Sequence, residues 1–203
     1  MNISVINRLT LYHFILEDYE GEFISSTVIA NMLNIDNSQV RKDIKYIENS
    51  GKCRVGYDVQ ALKKSIEKTL GFKHQTGAFI IGAGNLGSAL AKYDSFENYG
   101  LQIKAMFDND PLKVGDIING KEVYHISKLE EEMGKSDVRI AILTVPKSVA
   151  QDTAEFLEKA GIKYIWNFSP RVLKVSNDVK VWNENLIGSF LQFTRHSQEG
   201  INE

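Results

Sequence analysis

The chain has 203 residues, 43% of them hydrophobic and 25% charged, with a formal net charge of -2, the balance of an ordinary soluble globular protein with room for one large domain or two small ones. That charge excludes a broadly basic nucleic-acid coat. With no charged-then-apolar leader and no apolar run long enough to span a bilayer, a cytoplasmic protein is expected. A single cysteine, Cys53, excludes an internal disulfide framework. Basic neighbours such as Lys52 and Arg54 are what a reactive thiol needs, but a bystander in a basic turn is the simpler account.

Val5, Leu9, Tyr12, Leu16 and Tyr19 recur at helical spacing, so a first helix is expected to end near Glu20-Gly21. Ser25-Ser26 offers a cap for a short second helix with Val28, Ile29, Met32 and Leu33 on one face. A turn through Asn34-Ile35-Asp36 then leads to a third helix in which Val40, Ile44 and Ile47 point inward. The other faces of that helix carry Ser38, Gln39, Arg41, Lys42, Lys45 and Tyr46, donors suited to phosphate oxygens and base edges in a major groove. From Arg41 to Arg54 five basic residues face two acidic ones, a local excess of three positive charges. A solvated helix face is the bland account of such a run, but a short helix, a tight turn and a basic helix follow the order of a helix-turn-helix. The segment Gly51-Lys52-Cys53-Arg54-Val55-Gly56-Tyr57 is expected to form a β-turn wing, with Lys52 and Arg54 on flanking phosphates.

A fourth helix is predicted over Val59 to Leu70, with Gly71 as its stop. Past the polar stretch Lys73-His74-Gln75-Thr76-Gly77 the pattern changes to alternating strands and helices, the rhythm of a parallel sheet. Phe79-Ile80-Ile81 leads into Gly82-Ala83-Gly84-Asn85-Leu86-Gly87 and a helix-forming run, Ser88 to Tyr93. This GxGxxG spacing follows a strand and opens a helix, so backbone N–H groups can face a pyrophosphate. Gly82 permits the tight turn, Gly84 the close approach of a ligand, and Gly87 the packing of helix on strand. A second apolar run, Ile103 to Phe107, ends in Asp108, where an acidic side chain holds a ribose 2'-hydroxyl and repels a 2'-phosphate. The three context features together raise a weak motif to an NAD(H) site. Asn119-Gly120 marks a hairpin turn. Val138 to Val145, closed by Pro146, and Lys163 to Phe168 are further strands around a helix from Ser148 to Ala160.

In sequence order, Gln39-Val40-Arg41-Lys42-Asp43, Gly56-Tyr57, Gly82 to Ala91, Phe107-Asp108-Asn109-Asp110-Pro111, Lys113-Val114-Gly115, Val145-Pro146, Ala160 to Lys163 and Asn167-Phe168-Ser169-Pro170 resemble the Rex family of bacterial redox-sensing transcriptional repressors, over nearly the whole chain. The resemblance implies an α/β protein in three parts. A winged-helix DNA-binding domain spans 1–74, a Rossmann-type NAD(H)-binding domain 75–182, and a C-terminal helix and tail exchanged between subunits 183–203. It implies a homodimer that binds palindromic operator DNA when NADH is scarce and is released by NADH. It places Tyr93 near the nicotinamide, although a plain packing aromatic accounts for that residue nearly as well. It adds Asn109 and Lys113 to the cofactor set, puts Val145, Pro146, Asn167 and Phe168 at the strand ends, and brings Leu186 of the terminal helix into the partner's pocket. Metal ligands are not expected, because no metal-ligand spacing is present.

The chain also departs from the family pattern. Tyr12-His13-Phe14 stands where the family usually has Tyr-Leu-Arg, and Asn185-Leu186 where an Asp is usual, so both halves of a family switch pair are absent together. Losing both strands no charge. Lys45 stands where Ser is usual, Ile47-Glu48-Asn49-Ser50 replaces Phe-Gly-Glu-Phe, and Arg54 replaces a wing glycine. These changes bear on operator sequence and on the wiring of the NADH response more than on the fold. Two other readings stay open: an NAD(H)-binding paralogue with altered DNA binding, and an NAD-dependent oxidoreductase. The latter needs an acid or base against the nicotinamide, whereas His13, His74, His125 and His196 lie in unrelated segments.

Overall fold

The computed structural model describes residues 1–47 and 55–199. Contacts divide the chain into two compact units, Met1–His74 and Gln75–Glu203.

The first unit is helical, with α1 (Ile3–Asp18), α2 (Ser26–Leu33), α3 (Asn37–Tyr46) and α4 (Val59–Leu70). Its core joins Leu9, Tyr12 and Leu16 of α1 to Ile29, Val40, Ile44, Ile47, Leu62 and Ile66. The Ser25 hydroxyl caps α2 by accepting from the Val28 N–H, and the Asp36 carboxylate caps α3 from the Ser38 N–H. Between them the chain reverses at Asn34, whose φ of 50° lies in the left-handed region that Asn tolerates. The strands β1 (Phe23–Ile24) and β2 (Tyr57–Asp58) pair antiparallel. The expected wing residues Lys52 and Arg54, and Cys53, lie outside the described residues.

The second unit is a seven-stranded sheet in the order β5-β6-β4-β3-β7-β8-β9. Its strands are β3 (Thr76–Ile81), β4 (Leu101–Asp108), β5 (Ile117–Ile118), β6 (Lys121–His125), β7 (Ile140–Leu143), β8 (Tyr164–Asn167) and β9 (Lys180–Asn183). All pairs but β5–β6 are parallel. Helices α5 (Asn85–Ala91), α6 (Ser95–Asn98), α7 (Leu129–Lys135), α8 (Ala150–Lys159) and α9 (Leu186–Glu199) follow the strands. One core, including Phe79, Phe107, Leu129, Ala150 and Leu157, lies on the α7/α8 face; the other, including Ile80, Ala91, Met106 and Ile142, lies on the α5 face. Chain order reverses between β3 and β7, the point at which doubly wound sheets open a crevice at their carboxyl ends. The β5–β6 hairpin turns through Asn119 and Gly120, both at positive φ.

Most element ends differ from the sequence reading by one to three residues, and two of the differences bear on the site. The terminal helix, expected from 183, starts at Leu186, because residues 180–183 pair with β8 in register and extend the sheet. The helix after the glycines stops at Ala91, so Tyr93 lies beyond it.

Candidate functional site

The carboxyl ends of β3, β4 and β7 surround a cavity of about 860 Å³, within the range of small-molecule and cofactor sites. Each glycine of the turn after β3 has a separate physical task. Gly82 sits at φ 103°, and a Cβ there would meet Thr144 and Val145 at 3.0 to 3.1 Å. At Gly87 a Cβ would come within 1.9 Å of the Gly82 carbonyl oxygen, so only glycine lets α5 lie this close to β3. At Gly84 a Cβ would meet nothing within 4 Å, and Gly84 lines the cavity. Its bare backbone therefore faces open space, and helix α5 begins there without a side-chain cap. The first-turn N–H groups of Asn85 and Leu86 thus have no partner inside the helix and are available to an anion.

Asp108, at the end of β4, binds this turn. One carboxylate oxygen accepts from the Ala83 N–H at 2.7 Å and from the Lys113 ammonium at 3.1 Å; the other accepts from the Asp110 N–H at 2.9 Å. Burial pushes its carboxyl up, but the two backbone N–H groups and Lys113 outweigh burial and hold it below the ordinary carboxylate range. The group is charged, oriented and still has acceptor capacity for a hydroxyl. Val145, Pro146, Phe168 and Pro170 supply an apolar part of the lining.

Of the residues expected at this site, Gly82, Gly84, Asn85, Leu86, Asp108, Asn109, Lys113, Val145, Pro146 and Phe168 line the cavity. Ala83, Gly87, Tyr93, Asn167 and Leu186 do not. Ala83 contributes its N–H to Asp108, and Gly87 packs against β3. Asn167 is fully buried and its amide is used within the protein, donating to the Arg171 carbonyl and to Asn183 Oδ1 and accepting from the Ser169 N–H. Tyr93 is 55% exposed and packs edge-on against Phe96. Leu186, in α9, is exposed. Sequence reasoning missed Ile126, Thr144, Val149, Asp152, Thr153, Phe156 and Pro170. Thr144 follows a strand beside the reversal point, a signal that topology supplies; the α8 residues have no motif to mark them.

In the first unit, α3 presents Ser38, Arg41, Lys42, Lys45 and Tyr46 to solvent and buries Val40, Asp43, Ile44 and the adjoining Ile47. Gln39 is half-buried, and its Nε2 donates to Asp43 Oδ1 at 2.9 Å. The same carboxylate, 2% exposed, accepts from Arg8 at 2.6 and 2.9 Å and from the Tyr12 hydroxyl at 2.8 Å. Burial pushes the Asp43 carboxyl up, but Arg8, Tyr12 and Gln39 together hold it below the ordinary range, while burial and Asp43 push the Tyr12 phenol up. This cluster pins α3 to α1 and was not foreseen, although Asp43 occupies the inward spacing of Val40, Ile44 and Ile47.

A helix-turn-helix unit followed by a doubly wound α/β domain with a glycine-cradled cavity defines a two-domain regulator architecture. Residues 73–171 match the family model for a CoA binding domain, and residues 3–44 that for a putative DNA-binding protein N-terminus. The redox-sensing transcriptional repressor Rex of Bacteroides thetaiotaomicron is 41% identical over 172 residues, covering 85% of this chain and 78% of that protein. Rex of Caldanaerobacter subterraneus subsp. tengcongensis is 39% identical over 202 residues, covering 98% and 90%. The solved structure of RSP in complex with β-NAD+ and operator DNA matches with a TM-score of 0.88 at 37% identity over 99% of this chain and 94% of that one. RSP in complex with β-NADH matches with a TM-score of 0.86 at 36% identity, covering 99% of this chain and 96% of that one. The chain belongs to the Rex family of redox-sensing transcriptional repressors.

Proposed function

We propose that the protein is a repressor that binds operator DNA through α3 and lets go when NADH fills the cavity at the carboxyl ends of β3, β4 and β7. The observation that carries this reading is the bare Gly84 backbone beside an Asp108 carboxylate bound to the same turn, in a cavity of cofactor size. The residues fit a dinucleotide: the α5 start takes the pyrophosphate and Asp108 the ribose. The apolar wall of Val145, Pro146 and Phe168 takes the nicotinamide. Such a wall disfavours the positively charged oxidised ring and favours the neutral reduced one, which supplies the differential affinity a two-state switch requires. Solved RSP structures hold β-NADH in one case and β-NAD+ with operator DNA in another, which supports both halves of the reading.

A homodimer completes it. Leu186, Ile187, Phe190, Leu191 and Phe193 of α9 are each more than half exposed, an apolar helix surface suited to a second copy.

An operator-shift titration with NADH and NAD+ side by side tests the function, with release at lower NADH than NAD+ as the expected result. Alanine at Arg41, Lys42 or Lys45 is expected to separate roles: losing a phosphate contact reduces the salt slope by ~1 across all sequences, and losing a base contact relaxes specificity at one position by ~1–3 kcal/mol. Intact operator binding with all three replaced removes α3 as the reader.

Asp108→Ala is expected to weaken NADH and narrow its advantage over NADPH. The variant removes a hydroxyl acceptor and leaves the Lys113 ammonium without its 3.1 Å partner, beside the position a 2'-phosphate would take. Calorimetric titration with both cofactors reads this directly; an unchanged ratio counts against Asp108 as the discriminating group.

A further inference from the structure

The chain's only two tryptophans, Trp166 and Trp182, share one acceptor. Their indole N–H groups donate to the same oxygen of Glu184, at 2.8 and 3.1 Å. An indole is donor-only and a carboxylate acceptor-only, so the match is complete and orients both rings. Glu184 also lies in the two-residue link between β9 and α9, and its own N–H donates to the Asn167 carbonyl at 2.8 Å. The next residue, Asn185, caps α9, its side chain accepting from the Gly188 N–H at 2.8 Å. The root of α9 is therefore tied to β8 by backbone and by side chain.

The other end of the tie reaches the cavity. The Trp166 ring centroid lies 4.9 Å from that of Phe168, which lines the cavity wall, and 6.0 Å from that of Phe96. A planar ligand ring against Phe168 would thus press on a ring already bonded to the residue that sets where α9 begins.

We propose that Glu184 is a positioning residue that couples the cavity wall at Phe168 to the root of α9. This rests on the NADH-responsive reading above and names the contact that carries its signal to the terminal helix. The coupling is the ratio of NADH affinities with and without bound operator, which ordinarily spans about 5–150-fold. A residue that merely stabilises the fold would move the melting temperature or the cofactor affinity and leave that ratio alone.

The test uses the full-length protein and E184A, E184Q and W182F, with NADH and an operator duplex as the probes. Three quantities are read: tryptophan emission without ligand, NADH affinity without DNA, and the NADH concentration for half-release of operator. E184A is expected to change tryptophan emission, leave NADH affinity within about twofold, and raise the release midpoint by at least about fivefold. E184Q keeps an acceptor oxygen and is expected to restore the midpoint. W182F removes only the half-exposed donor, is expected to fall between, and serves if E184A does not fold. Release midpoints that follow wild type in E184A, or in W182F where E184A does not fold, overturn the inference, as does a midpoint shift fully accounted for by lost NADH affinity. Wild type that neither binds NADH nor releases operator overturns the functional reading itself, and is distinguished by the wild-type titration alone.

Discussion

Gly84→Val is expected to abolish NADH binding, a loss of at least about a hundredfold or about 2.8 kcal/mol, in a protein that still folds normally. A side chain at Gly84 meets no protein atom within 4 Å but projects where a ligand backbone must approach. Stability is expected to change by no more than about 1 kcal/mol, the scale of trading glycine for valine at a helix N-cap. Gly87→Ala is the contrasting variant. Its Cβ would lie 1.9 Å from the Gly82 carbonyl oxygen and 2.8 Å from Thr144 Oγ1, so α5 must move off β3 at a cost near the upper end of the ~1–3 kcal/mol typical of overpacking. Urea unfolding and NADH titration of the pair separate ligand approach from helix packing. A Gly84→Val protein that binds NADH as wild type does would place the pyrophosphate elsewhere.

Asp43→Ala is expected to destabilise the first unit by about 1–3 kcal/mol, because it strands the buried Tyr12 hydroxyl and the Gln39 amide and takes the partner from an Arg8 guanidinium that keeps some access to water. Operator binding falls with it, since α3 loses its tie to α1, whereas NADH affinity, built entirely from residues past Gln75, is expected to hold. The pH dependence has a definite sign. The folded carboxyl is held below its ordinary value, so its contribution is fully present above the ordinary carboxylate range and is lost as pH falls through the depressed folded value. The stability gap between wild type and Asp43→Ala should therefore be widest near neutrality and close in acid. A gap that persists unchanged to acid pH would show that the cost comes from packing and not from the charge.

Much of the cavity beside the glycine turn was legible because each of its devices is local. Gly82, Gly84 and Gly87 do their work within one turn, and Asp108 ends the next strand, so spacing along the chain already places them. The basic face of α3 was legible for the same reason, since helical period alone separates Arg41, Lys42 and Lys45 from Val40 and Ile44. Asn167 and Gln39 show what spacing along the chain does not supply. Both have the chemistry of a ligand contact, yet each has its amide engaged by the protein, Asn167 by Arg171 and Asn183 and Gln39 by Asp43. Which of two equally polar side chains faces a cavity depends on partners that arrive from other elements.

By itself the sequence determined α1 to α4, the elements on either side of the glycine turn, the run from β7 through α8 to β8, the change of rhythm after Lys73, and the glycine turn with its acidic partner, because propensity, period and turn chemistry act over a few residues. Only the tertiary structure decided that residues 180–183 join the sheet as β9 before α9 begins. It alone brought Ile126, Thr153 and Phe156 to the cavity beside Asp108. The Arg8–Asp43 and Trp166–Glu184–Trp182 clusters belong to that second category as well, spanning 35 and 18 residues of sequence at their longest bonds. Their energy comes from removing matched donors and acceptors from water together, and that matching exists only once the elements have packed.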